Sequence, residues 1–160
     1  MKTKTKIFLG LSIFLLCLIL PGLYNALKVV SYSLSAETIS QPIRIALVTD
    51  LHSCDYGEKQ RDLLNALDAQ APDLVLLGGD IFDDDLPDDN TIAFLQGISG
   101  RYPTYYVTGN HEYRSGKEGF ARKMAELDKW GIVRLSGGMV TVTIKGTRLN
   151  ICGVDDAYAW

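Results

Sequence analysis

Histidine is scarce in this chain: 160 residues hold two, His52 and His111. Cysteine is nearly as rare, and three residues are too few for a disulfide framework. Cys17 lies inside an apolar run, and nothing in the spacing of Cys54 and Cys152 argues for a bridge. The net charge of −3 lacks the basic excess of nucleic-acid-binding domains and argues against a nucleic-acid surface. No G-x-S-x-G, Walker or G-x-G-x-x-G motif occurs, which leaves serine hydrolase, NTPase and dinucleotide readings without footing. Solenoid repeats and low-complexity tracts are also missing. What remains is a chain whose 47% hydrophobic content excludes disorder and whose length allows one domain, not two.

The apolar residues are unevenly spread. Lys2, Lys4 and Lys6 precede an uncharged stretch over residues 7–27, closed by Lys28. As a helix that stretch reaches about 30 Å, enough to cross a bilayer core. A cleaved signal peptide would need only the shorter core at 7–20, with Ser33-Leu34-Ser35 as a weak cleavage site. The full uncharged length favours a retained signal anchor, in which Pro21-Gly22 is tolerated. Leu16 stands where a lipoprotein site needs a small residue, so Cys17 is not read as one. The lysine flank places the N-terminus in the cytoplasm and the rest outside, on a single-pass cell-membrane anchor. The expected organisation is an anchor over 1–30, a Ser-rich tether over 31–42 and a domain over 43–160.

Within that domain, residues 43–49, 74–77 and 104–108 read as short, β-branched or apolar strands. Residues 58–70, 91–98 and 117–130 read as helices, with Leu63, Leu64 and Leu67, then Ile92, Phe94, Leu95 and Ile98, then Phe120, Met124 and Leu127 on their apolar faces. Residues 140–144 and 148–152 flank Lys145-Gly146-Thr147 as a hairpin. Alternating strands and helices predict an α/β fold, parallel βαβαβ followed by that hairpin.

Polar residues follow each of the first three strands: Asp50-Leu51-His52, then Gly79-Asp80 with Asp83, then Gly109-Asn110-His111-Glu112. Asp50, Asp80 and Asn110 stand 30 residues apart, about one βαβ unit, which puts them at the same end of neighbouring strands. Ligands bind at that carboxyl edge in open α/β sheets. Oxygen and imidazole donors converging there suit zinc, manganese or iron better than calcium. Taken singly, each Asp is an ordinary turn or cap residue and each histidine an ordinary packed one. The ordered set, holding both histidines of the chain, is what argues for a metal site.

These three motifs resemble, in order and spacing, the first three of the calcineurin-like metallophosphoesterases. The apolar N-terminus and Gly153-Val154-Asp155-Asp156 resemble the membrane-anchored bacterial branch of that family. The resemblance implies a metallophosphoesterase-type α/β sandwich, present here as its N-terminal portion. It implies two divalent ions (Mn, Fe or Zn), one held by Asp50, His52 and Asp80, the second by Asp80 and Asn110. His111 is then the catalytic residue at the phosphate or leaving group, Asp83 orients His111 or nearby backbone, and Glu112 supports. The implied reaction is hydrolysis of a phosphomonoester, phosphodiester or pyrophosphate by attack of a metal-bound hydroxide on phosphorus, with a lipid-linked phosphate as one substrate. The family completes its site with a further histidine and Gly-His-x-His, and no histidine follows His111. The second metal site is therefore expected to be incomplete and the chain a fragment or truncated product. The alternative is an inactive membrane-tethered remnant that binds one metal or a partner without turnover. The rest of the acidic run over 83–89 is read as a solvated loop and Cys54 as a packed or free thiol; Arg101, Arg114 and Lys117 are read by default as surface charge, with contact to a phosphate as the alternative for each.

Overall fold

The computed structural model describes residues 27–157, together with Phe8, Ile13, Phe14, Leu15 and Cys17, which are helical. The expected membrane span thus falls almost wholly outside the described residues. Among those residues, no helix is long and apolar enough to cross a membrane. The chain divides into two units, 1–30 and 31–160, and the second carries the fold.

Four strands form one parallel sheet in sequential order: β1 (Ile45–Val48), β2 (Leu74–Gly78), β3 (Thr104–Val107) and β4 (Val133–Arg134). The register runs Val48 to Leu77 and Leu77 to Tyr106. Between them come helices α1 (Arg61–Gln70), α2 (Asp89–Ile98), α3 (Asn110–Arg114) and α4 (Gly116–Lys129). Right-handed crossovers between sequential parallel strands carry their helices to one face of the sheet. The core lies there, with Val75, Leu77 and Tyr106 meeting Leu63, Leu67, Phe94, Leu95, Ile98, Met124 and Leu127. The opposite face is less covered: Leu47 on β1 is 65% exposed and Ile45 is 49% exposed.

Strands β5 (Met139–Ile144) and β6 (Thr147–Cys152) form a separate antiparallel hairpin. Its turn is the two residues Lys145 and Gly146, both with positive φ (48° and 78°), the geometry of a type I′ turn. Lys145 also ties the hairpin tip to the sheet, donating to Asp73 at 2.8 Å and to the Pro42 carbonyl at 3.0 Å.

The α/β fold with a parallel sheet is as the sequence predicts. Three elements differ from that reading. Glu58–Gln60 is a 3₁₀ turn with Lys59 left-handed, so α1 begins only at Arg61. β4 is two residues long, too short for any period to reveal. α3 occupies the stretch between β3 and α4, where five residues carry polar chemistry rather than an apolar stripe.

Candidate metal centre

The three polar motifs come together at the carboxyl ends of β1, β2 and β3. The chain bends sharply after β1 and again after β2. Asp50 (φ 54°), His52 (48°) and Ser53 (50°) are left-handed, as is Asp80 (51°). Non-glycine residues rarely adopt this region, and clusters of them mark sites where the surroundings impose it. Here parallel-type bonds continue past the strands: Asp50 N–H donates to the Gly79 carbonyl (3.1 Å), His52 N–H to Asp80 (2.9 Å) and Ser53 N–H to Ile81 (3.1 Å). The first and second loops are thereby laced together.

The second and third loops meet through two glycines. A Cβ on Gly79 would lie 2.9 Å from the Gly109 nitrogen, and one on Gly109 would strike the Asp80 carboxylate. This close approach lets Asp80 Oδ1 accept the His111 N–H at 2.9 Å. Glu112 locks the arrangement from beneath. Fully buried, its carboxylate accepts N–H groups of Asp80 (3.1 Å), Ile81 (2.9 Å), Phe82 (3.0 Å) and Gly109 (2.8 Å). Its bond to Gly109, the residue before α3, is half of a capping box. Glu112 supports the site as a hub of the loop backbone and does not reach its outer surface.

The two imidazoles stand edge to face, centroids 4.3 Å apart. Asp83 Oδ2 lies 3.2 Å from His52 Nδ1 and 3.5 Å from His111 Nδ1, so one carboxylate addresses both rings. Its other oxygen accepts the Asp85 and Leu86 N–H groups, each at 2.9 Å. Burial pushes the Asp83 carboxyl up. The two backbone donors, the His111 charge and the bond to His52 together outweigh it and hold the group below the usual carboxylate range. Asp84 also bonds His111 Nδ1, a contact the solvated-loop reading of the acidic run does not anticipate. Asp88 departs from that reading too, lying 3.5 Å from Arg122 and 3.7 Å from Lys123. Lys123 itself is buried on α4 and donates to the Asp83 carbonyl (2.5 Å) and to Ser115. Its place three residues after Phe120 and one before Met124, on the apolar stripe, is the signal that could have found it. Cys54 is a free thiol.

The donor set fits a divalent cation. Asp50, His52 and Asp80 each offer one ligand atom, all within 4.8 Å of one another. His52 turns Nε2 toward Asp50 (3.8 Å) while Asp83 takes Nδ1, the carboxylate–histidine pairing that orients metal ligands. Asn110 lies against Asp80 at the same edge. With its amide nitrogen toward Asp80 Oδ2 (3.1 Å), its oxygen accepts from Arg114 at 3.1–3.3 Å. The structure thus brings Asp50, His52, Asp80 and Asn110 to one edge, with His111 beside them.

The model of the calcineurin-like phosphoesterase family matches residues 43–154. An uncharacterized metallophosphoesterase of Helicobacter pylori is 28% identical over 98% of this chain and 42% of its own length. One of Campylobacter jejuni is 32% identical over 68% of this chain and 30% of its own length. The chain therefore spans less than half of these curated relatives. The crystal structure of a phosphopantetheinyl hydrolase from Mycobacterium tuberculosis superposes with a TM-score of 0.50 at 19% identity, covering 68% of this chain and 41% of that one, a likeness of fold.

Proposed function

Because the chain belongs to the calcineurin-like phosphoesterase family, we propose that it carries the amino-terminal part of the active site of a metal-dependent phosphate-ester hydrolase. One observation supports this above others: three strand ends deliver Asp50 and His52, Asp80, and Asn110 and His111 to a single edge. Asp50, His52 and Asp80 would hold one divalent ion, and Asp80 with Asn110 would contribute to a second. Such ions polarise a phosphoryl oxygen and acidify water. Asp83 fixes the two imidazoles through their Nδ1 atoms. His111 Nε2 is left to hand a proton to the leaving oxygen.

The substrate is a phosphomonoester, a phosphodiester or a pyrophosphate. The lysine flank and uncharged stretch at the N-terminus support an extracytoplasmic, membrane-anchored placement, and with it a lipid-linked phosphate. The assignment to a membrane-anchored bacterial branch rests on those residues and on Gly153–Asp156.

Turnover of p-nitrophenyl phosphate and bis-p-nitrophenyl phosphate by the whole natural protein, with Mn²⁺ added, tests this reading. Asp80→Ala should abolish tight metal binding and activity together. His111→Ala should keep the metal and lose about 10²–10⁴-fold in turnover, the usual scale for one acid–base group. Undiminished turnover in Asp80→Ala would overturn the proposal, and metal uptake without any turnover would favour the remnant.

A further inference from the structure

Arg114 closes α3 beside the metal edge. It lies three residues after His111 on α3, and side chains at that spacing share a helix face. The carboxylates of Asp83 and Asp84 occupy His111 Nδ1, so Nε2 is the ring nitrogen left to face outward. Arg114 Nη1 lies 3.4 Å from Nε2. The same guanidinium reaches the Asn110 amide, with three nitrogens at 3.1–3.3 Å. It therefore touches both a proposed metal ligand and the proposed acid. Arg101 lies elsewhere, bound to Asp68 at 2.6 Å on the surface between α1 and α2.

Electrostatics gives this position a use. Asp50, Asp80, Asp83 and Asp84 crowd one edge, a field that opposes any incoming anion, and a dianion about twice as strongly as a monoanion. A phosphoryl oxygen that meets His111 Nε2 arrives within hydrogen-bond range of the guanidinium. Its planar fork suits two oxygens of one phosphoryl group. We infer that Arg114 is a phosphate-binding, specificity-determining residue of this site. It favours substrates that present a terminal phosphoryl dianion, a phosphomonoester or the end of a pyrophosphate, over phosphodiesters. This rests on the hydrolase reading and narrows its substrate class.

The exposed position of Arg114 lets it be replaced without disturbing the core. The test uses the chain loaded with Mn²⁺ and follows paramagnetic broadening of ³¹P signals from phenyl phosphate and dimethyl phosphate, a dianionic monoester and a monoanionic diester. The wild type should bind phenyl phosphate more tightly. Arg114→Gln should weaken phenyl phosphate about 10- to 100-fold, the scale of charge-assisted hydrogen bonds. It should weaken dimethyl phosphate several-fold less, and Arg114→Lys should fall between, all with unchanged Mn²⁺ uptake. Normal Mn²⁺ uptake with wild-type phenyl phosphate affinity in Arg114→Gln, or equal losses for both esters, would overturn the inference alone. A wild-type chain that takes up no Mn²⁺ would bring down the hydrolase reading and this inference with it.

Discussion

Glu112 shows how much of the site depends on one buried side chain. Four backbone N–H groups from two loops end on its carboxylate, and a buried donor left unpaired costs about 1–3 kcal/mol. Glu112→Ala should therefore remove several kcal/mol, a large share of the stability of a domain this size. Thermal unfolding followed by circular dichroism should show a broad, non-cooperative transition, with Glu112→Gln intermediate. Asp83 gives a pH dependence. Its folded-state carboxyl lies below the ordinary range, so the unfolded chain binds the proton first as pH falls. The contribution is complete above the unfolded value, about pH 4, and is lost as pH drops through the lower folded value. Urea midpoints measured from about pH 6 to pH 3 should fall less steeply in Asp83→Asn than in the wild type. The histidines were legible in the sequence because they are so few and both follow strands. Asp84 was not, because a half-buried charge in an acidic run has no sequence signature until a fold sets it beside a ring nitrogen, and Arg114 stood out no more than Arg101 or Lys117 until the fold placed it beside His111.

The elements that deliver the site were legible for a plain reason. β1, β2 and β3 are short apolar runs, α1, α2 and α4 carry helical stripes, and the 30-residue spacing reports the βαβ repeat. α3 escaped because its five residues are chosen for the site and not for a core face, and β4 because two residues carry no period. The close approach of the second and third loops was equally hidden, since it depends on atoms 30 residues apart. Gly79→Ala tests that junction. Its φ of 92° and the 2.9 Å approach to Gly109 leave no room for a side chain. The substitution should cost about 1–3 kcal/mol, the scale of local backbone strain, and should weaken Mn²⁺ binding by moving Asp80 away from Asn110. A titration matching the wild type would show that the loops adjust freely.

Among the described residues of the domain, burial is lopsided. Helices cover one face of the sheet, while Leu47 and Ile45 on the other remain about half exposed or more. Apolar surface of this kind marks a contact for further protein or a route to association. Expressed as residues 1–160, the chain should bind a hydrophobic dye strongly, and Leu47→Thr with Ile45→Thr should reduce both dye binding and light scattering. A well-behaved monomer that ignores the dye would show that this face is satisfied. At the same scale the central claim is that three strand ends build one cation site. Mn²⁺ titration of the chain, read by electron paramagnetic resonance of the free ion, tests it most directly. The account predicts at most about one ion, weakly held because the protein ligands are few, and its loss in both Asp80→Ala and His52→Ala. No uptake by the wild type, or uptake that survives both substitutions, would contradict it.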